Sequence, residues 1–371
     1  MSTTPEAATR DVTTQKTELL KGIALLLLMY HHLFGSEYLD GWIAVIPGTE
    51  GIDYVIGASG KICLAIFLFC SGYGIYKSYI SKENQKATYI LKRLVKTLIP
   101  YWMVMLIAIA YLYFTGRFEP GYIFVNLFAL IHNEEMLYVS FSWFIKLYVL
   151  LILFLPLIRL IERKWKKNAL TDILIYIALP FAIAVIFAKY QNNTQFISVP
   201  MFFVSTILFV ISWFPLFAIG ILFAKYNTYN KIREFADRFP RALVITLSLL
   251  ILGNVIYMRF ILNSFVGDTI IYHSCMTDVV FGPVFTSALL LIMDNVKLQS
   301  RCIIPFIGKN SVFYWLLSGM FFINTIELSF LITWPKITLL IFVWTMILLT
   351  PFVFVCSWLS DKVIKLICRK M

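Results

Sequence analysis

Ten long apolar segments dominate this chain of 371 residues and limit what it can fold into. They cover residues 19–36, 60–80, 97–114, 142–161, 170–189, 200–224, 242–263, 276–294, 311–329 and 337–358. A helix of roughly 20 residues crosses a bilayer core, and lipid admits only helices and closed barrels because every backbone polar group needs a partner. The segments lack the two-residue alternation of barrel strands. The sequence therefore predicts an all-α polytopic membrane protein with about ten transmembrane helices.

The composition supports this class. Hydrophobic residues make up 60% of the chain and charged residues 14%, whereas soluble domains are about 25% charged. An ordinary cytosolic enzyme is thereby excluded. We expect one membrane-embedded domain at 19–358, between a cytoplasmic N-terminal tail at 1–18 and a basic cytoplasmic C-terminal tail at 359–371. A shorter apolar piece at 121–131 is too short to cross and is typical of an interfacial or re-entrant helix.

The basic residues predict the orientation. If both termini are cytoplasmic, 26 of the 32 Lys and Arg residues fall on the cytoplasmic side. That asymmetry is the positive-inside pattern of a multi-pass protein of the cell membrane. It also accounts for the formal net charge of +12 as a signal of topology and of contact with membrane lipids, so we expect no nucleic-acid partner.

Cofactor motifs are missing from the sequence. The six cysteines are scattered without a CxxC or Cys/His spacing, so no metal site is predicted. Gly-rich phosphate loops and a Walker motif are also absent. We expect no permanently bound cofactor.

The first apolar segment carries ionisable residues at costly depths. Lys21 lies at its inner edge, and His32 lies eleven residues further, about 16 Å along a helix. Eleven residues turn a helix about 20° beyond three full turns, so Lys21 and His32 share a face and His31 points about 80° away. Such residues usually face a bundle interior and mark function, although both histidines could instead hydrogen-bond neighbouring helices as structural contacts. Histidine suits proton transfer near neutral pH.

Five stretches, in order along the chain, resemble the acyltransferase 3 family of membrane acyltransferases. They are Lys21–x10–His32, the F-x-x-S-G-[FY] pattern within 67–74, the basic run into I-x-P-x-[YW] within 91–102, W-F-x-x-x-Y within 142–148, and G-K-x-S-x-x-x-[YW]-L within 307–316. The sequence departs from the family in two places. Many members have a Glu shortly after the Trp-Phe pair, whereas this chain has Lys146 and no acid in that region. Many also have a His a few residues into the ninth helix, at the position that corresponds to Ser318.

The resemblance implies an integral membrane O-acyltransferase. The donor would be cytoplasmic acyl-CoA, in particular acetyl-CoA, and the acceptor a hydroxyl of an envelope glycan or lipid-linked sugar. His32 and Lys21 would be catalytic, with His32 acting as general base or as covalent acyl carrier. Four residues would bind the donor: Arg93, Lys96, Lys92 and Ser71. The basic ones could instead serve only to anchor the loop, and Ser71 could belong to a small-residue helix contact.

The acceptor would be bound from the outer side. Its candidate residues are His31, Glu134, Trp143 and Tyr148, which are also types common in aqueous loops and interfacial belts. The alternative function is a secondary transporter or flippase that uses His32 as a proton relay, although the chain lacks internal symmetry. The sequence does not determine the oligomeric state.

Overall fold

A computed structural model of the protein describes residues 11–35, 50–82, 88–128, 137–139, 142–164, 168–191, 199–266, 274–296, 303–322 and 329–371. Within these ranges the chain forms helices and no strand. The α-helices are α1 Thr14–Phe34, α2 Glu50–Ser59, α3 Cys63–Ile75, α4 Thr88–Phe114, α5 Ile123–Leu127, α6 Trp143–Lys164, α7 Ala169–Ile173, α8 Leu179–Gln191, α9 Val199–Lys225, α10 Thr228–Ala236, α11 Arg241–Val266, α12 Ser274–Val296, α13 Ile304–Lys309, α14 Ser311–Phe322, α15 Ser329–Thr333 and α16 Thr338–Lys370. The all-α prediction is confirmed.

Seven helical stretches of the described residues are long and apolar enough to cross a membrane. They are Gly51–Ile80, Thr88–Phe114, Trp143–Lys164, Thr206–Lys225, Arg241–Leu262, Thr277–Val296 and Thr338–Arg369. Two further apolar helices, Ala169–Ala184 and Ser311–Phe321, are shorter. The structure therefore supports a multi-span protein, while the number of ten and the cytoplasmic position of both termini stay predictions.

Two helices extend into the segments that were predicted as tails. α1 begins at Thr14, and α16 runs without interruption to Lys370. A helix of 33 residues is about 50 Å long, which exceeds the roughly 30 Å of hydrocarbon. Near its end the Lys362 ammonium lies 3.6 Å from the centroid of the Trp358 ring.

The chain divides into two compact units, each built from three separate segments. The first unit contains Met1–Ala24, Ile62–Asn84 and Pro156–Gly308. The second contains Leu25–Lys61, Gln85–Leu155 and Lys309–Met371. Neither unit is a continuous piece of sequence, so neither can fold before most of the chain has been made.

Glycines set the helix packing in the first unit. A Cβ added at Gly72 of α3 would overlap the carbonyl oxygen of Phe217 in α9, and one at Gly220 of α9 would overlap the carbonyl oxygen of Phe69. The two helices therefore touch backbone to backbone, as small-residue contacts allow in membrane proteins. Gly72 therefore belongs to a small-residue contact between two helices.

Replacing Gly72 by alanine is expected to destabilise the protein by about 1–3 kcal/mol, because the new methyl group would push α3 and α9 apart. Gly74 is the matched control. It lies in the same helix, and a Cβ there would meet no atom within 4 Å. Thermal unfolding in detergent measures both variants. Equal melting temperatures for Gly72→Ala and Gly74→Ala would contradict the close backbone contact.

A buried ion pair joins α11 to α12. The Arg259 guanidinium donates from Nε to Oδ1 of Asp278 at 2.7 Å and from Nη2 to Oδ2 at 3.0 Å. Arg259 is 1% exposed and Asp278 2%. Two parallel charge-assisted hydrogen bonds are the strongest form of such a pair. They explain how a carboxylate inside an apolar helix is satisfied.

A second cluster of charges fastens α6, α7 and α9 in the first unit. Lys225 at the end of α9 donates to Glu162 at 2.7 Å and to Asp172 at 2.5 Å. The hydroxyl groups of Tyr176 and Tyr226 donate to the same carboxylates. All of these polar groups bind one another, so we interpret the cluster as structural.

Candidate functional site

The two residues of the proposed first-helix signature lie in one continuous helix. Both Lys21 and His32 belong to α1, as the sequence predicted, and His32 lies in its last turn. His32 is 9% exposed, so its imidazole is shielded from bulk solvent. Lys21 is half-buried. A buried imidazole in an apolar helix is a suitable environment for proton transfer that excludes water.

The side chain of His31 is fixed by α2 of the second unit. Its Nδ1 lies 2.9 Å from the carbonyl oxygen of Gly57. A Cβ added at Gly57 would lie 2.6 Å from the amide nitrogen of Gly35, just after α1. The end of α1 and the middle of α2 therefore touch through two glycines. His31 contributes to this contact, and its ring centroid lies 5.7 Å from that of His32.

Sequence analysis missed an acidic residue beside this helix end. Asp53 of α2 is 8% exposed, and its Oδ1 accepts a hydrogen bond of 2.5 Å from the Tyr30 hydroxyl. Asp53 lies one helical turn before Gly57, so both face α1. The predicted span began at residue 60, and Asp53 was therefore read as part of a loop. The four-residue spacing of Asp53, Gly57 and Lys61 was the signal that could have revealed a helix face.

The structure brings Arg93 and Tyr148 together, although the sequence placed them in different subsites. The Arg93 Nη2 donates to the Tyr148 hydroxyl at 2.8 Å, and Nη1 donates to the Tyr89 hydroxyl at 3.3 Å. The contact with Tyr148 joins α4 to α6, and the contact with Tyr89 lies within α4. All three residues belong to the second unit. Phenolic hydroxyls are neutral, so these two contacts orient the guanidinium without neutralising it, and it remains suited to an anion.

The other basic candidates of α4 are Lys92 and Lys96. Lys92 is half-buried, as Arg93 is, and Lys96 is exposed. Trp143, at the start of α6, is half-buried with its ring centroid 5.7 Å from that of Phe144. Glu134 falls outside the described residues, so its predicted role with the acceptor stays a prediction.

The piece at 121–131, predicted as an interfacial or re-entrant helix, contacts α4 through its described residues. The Tyr101 hydroxyl donates to the carbonyl oxygen of Asn126 at 2.8 Å, and the Trp102 Nε1 donates to that of Leu127 at 2.8 Å. The Asn126 side chain in turn accepts from the backbone of Tyr138 at 3.0 Å. The segment before α6 therefore lies beside the middle of α4. This return brings the first turns of α6, with Tyr148, back to the level of Arg93.

The two departures from the family pattern are both buried. Ser318 of α14 is fully buried, and its hydroxyl donates to the carbonyl oxygen of Trp315 at 2.7 Å. Lys146 of α6 is 7% exposed. Ser318 cannot replace a histidine as a base, because a hydroxyl has no comparable pKa.

The donor-side residue Ser71 belongs to the first unit. Its hydroxyl donates to the carbonyl oxygen of Phe67 in its own helix at 2.8 Å. Ser71 therefore makes its described contact within its own helix, as Ser and Thr side chains commonly do.

Asp11, three residues ahead of α1, contacts Tyr73 of α3 and Lys77 of the π-helical segment that follows α3. The carboxylate of Asp11 accepts hydrogen bonds from the Tyr73 hydroxyl and from the Lys77 ammonium, the latter at 3.1 Å. Partial burial opposes ionisation, but these hydrogen bonds together hold the pKa of Asp11 below its ordinary value. Neither Lys77 nor Asp11 is among the site residues that the sequence predicts.

Among the described residues, no group of three or more His, Cys, Asp or Glu side chains is arranged to hold a metal ion. The buried imidazole of His32 is suited to proton transfer, and the cationic side chains of Lys21 and Arg93 are each suited to bind an anion.

In a comparison with models of known families, the acyltransferase 3 model, described as an acyltransferase domain, matches residues 16–361. No curated protein and no solved structure matches the chain.

Proposed function

The chain belongs to the acyltransferase 3 family of membrane proteins, and we propose that it is an O-acyltransferase of the cell membrane. In this proposal it moves an acetyl group from cytoplasmic acetyl-CoA to a hydroxyl of an envelope glycan or a lipid-linked sugar. The observation that supports it most is the buried position of His32 in the last turn of α1, shortly after the apolar stretch at 22–29. An ionisable side chain at such a position is energetically unfavourable, and residues of this kind usually have a function.

His32 would act on the acceptor. As general base, a ring nitrogen takes the proton of the acceptor hydroxyl while its oxygen attacks the thioester carbonyl. The carbon–sulfur bond then breaks, and the CoA thiolate leaves and takes up a proton. As a covalent carrier, the same nitrogen would first accept the acetyl group and then pass it to the acceptor. Both routes need a neutral imidazole, which burial favours.

The cationic residues would bind the donor. Coenzyme A carries phosphate groups, and Arg and Lys are their usual partners. Lys21 lies in the same helix as His32, nearer its start. The Arg93 guanidinium is held in place by Tyr148 and Tyr89, so it is oriented before an anion arrives. Lys92 and Lys96 would add positive charge nearby.

Arg93→Ala is expected to raise KM for acetyl-CoA about tenfold with kcat nearly kept. A phosphate contact far from the thioester binds the ground state and the transition state about equally. Arg93→Lys should recover part of the loss, because the charge stays but the planar fork is lost. Tyr148→Phe is the matched control, since it removes the hydrogen-bond partner and leaves the charge. An unchanged KM in Arg93→Ala would show that Arg93 serves only the topology or the tyrosine contact.

The direct test is transfer of label. Purified protein in lipid nanodiscs is incubated with acetyl-CoA labelled in the acetyl group and with membranes that contain envelope glycans. An acyltransferase releases free CoA and places label on the glycan fraction as an ester that mild base removes. A transporter or flippase would do neither, so absence of both signals would refute the proposed function.

A further inference from the structure

We propose that Tyr73 and Lys77 of the first unit form a binding site for a phosphate group, and that the carboxylate of Asp11 competes for it. Naming CoA as the molecule that carries this phosphate rests on the proposed acyltransferase function. The site itself rests on contacts of the described residues.

The geometry is that of an anion site. Tyr73 lies in α3 and Lys77 lies in the π-helical segment that follows, and their side chains meet at one place because both contact Asp11. The Tyr73 hydroxyl and the Lys77 ammonium both donate to the two carboxylate oxygens of Asp11. The ammonium also lies 5.8 Å from the centroid of the Tyr73 ring. The carboxylate of Asp11 shows directly that these donors converge on an anion.

The contact with Asp11 is one that a stronger anion can displace. The side chains of Lys77 and Asp11 are 38% and 36% exposed. An ion pair this open to water contributes little free energy. A phosphate offers more acceptor oxygens and up to one more negative charge than a carboxylate, so the same two donors bind it more strongly.

The local backbone leaves room for a ligand. A Cβ added at Gly74, between Tyr73 and Lys77, would meet no atom within 4 Å. Lys77 also lies in a π-helical segment, Tyr76–Ile80, at the end of α3. Such segments are rare and occur often at functional sites, because they redirect side chains that a regular helix would place elsewhere.

The test measures binding of CoA to the full chain in phosphatidylcholine nanodiscs by isothermal titration calorimetry. Asp11→Asn should tighten CoA binding about two- to fivefold, because it removes the tethered competitor. Lys77→Gln should weaken binding about tenfold. In the Lys77→Gln background, Asp11→Asn should change nothing, since the two effects act on one site. Pantetheine, which lacks phosphate, should bind all variants alike.

Asp237→Asn is the matched control for net charge. Asp237 pairs with Arg233 at 2.9 Å in the same unit, and its side chain is 37% exposed. If this variant tightens CoA binding as much as Asp11→Asn does, a general charge effect explains the result and the proposed site is wrong.

A second arm identifies the source of the phosphate. The same variants are compared for retention of phosphatidylglycerol by native mass spectrometry. A response of lipid retention without a response to CoA would support the phosphate site and assign it to a lipid headgroup. No response in either arm would overturn the site. CoA binding that responds to the variants as expected, without any acyl transfer by the wild-type protein, would overturn only the proposed function.

Discussion

Alanine at position 32 is expected to reduce acyl transfer by at least a hundredfold while the protein remains inserted in the membrane. General acid–base catalysis contributes about 10²- to 10⁴-fold, and a covalent carrier role would make the loss still larger. Because His32 is buried in the last turn of an apolar helix, alanine fits there without adding a polar group. The measurement is the initial rate of labelled acetyl transfer at equal amounts of purified protein.

His31→Ala is the natural comparison. Its ring contacts the carbonyl oxygen of Gly57, so its loss should affect the packing of α1 on α2 more than the chemistry. We expect a milder decrease in rate and a lower melting temperature. CoA binding should be retained in His32→Ala. If that variant transfers acetyl at the wild-type rate, the proposed mechanism is wrong whatever the role of His31.

Breaking the ion pair between α11 and α12 should have the largest effect on stability. Asp278→Ala leaves the Arg259 guanidinium buried without its carboxylate, which typically costs about 3–5 kcal/mol. That is a large fraction of the net stability of an ordinary domain. The measurement is thermal unfolding in detergent, together with the yield of folded protein in the membrane fraction.

Two controls separate the buried pair from charge in general. The double variant Arg259→Met with Asp278→Leu should recover most of the loss, because apolar side chains of similar size need no partner. Arg233→Ala breaks the exposed pair with Asp237 and should cost less than about 1 kcal/mol. Equal melting temperatures for Asp278→Ala and Arg233→Ala would refute the importance of burial.

The sequence alone predicts the helical class, because the length of each apolar segment can be read without knowing which other segments it contacts. It also placed Lys21 and His32 in one helix, since a period of 3.6 residues needs no knowledge of neighbours. Charge patterns behave differently. The sequence shows that Asp278 is a carboxylate inside an apolar segment, but its partner Arg259 lies 19 residues away on another helix, and no local pattern connects the two.

The remaining contacts depend on how the chain returns on itself. Arg93 and Tyr148 form a hydrogen bond, and the segment with Asn126 lies beside Tyr101 of the same helix α4. A simple alternation of inside and outside loops does not predict this position for the start of α6. Asp11 was overlooked because polar residues ahead of a first span have no pattern of their own. Its role is visible only from Tyr73 and Lys77, which bind it.

The pair of Arg259 and Asp278 also bears on how the ribosome delivers this protein to the bilayer. α11 leaves the insertion machinery before α12, and an arginine alone in lipid is unfavourable by a few kcal/mol. α11 can reach its final depth at low cost only once the carboxylate of α12 has been synthesised. The two helices therefore enter as a hairpin. A chain that lacks Asp278 would be delayed at this step and exposed to quality-control proteases during synthesis, before any enzymatic defect could arise.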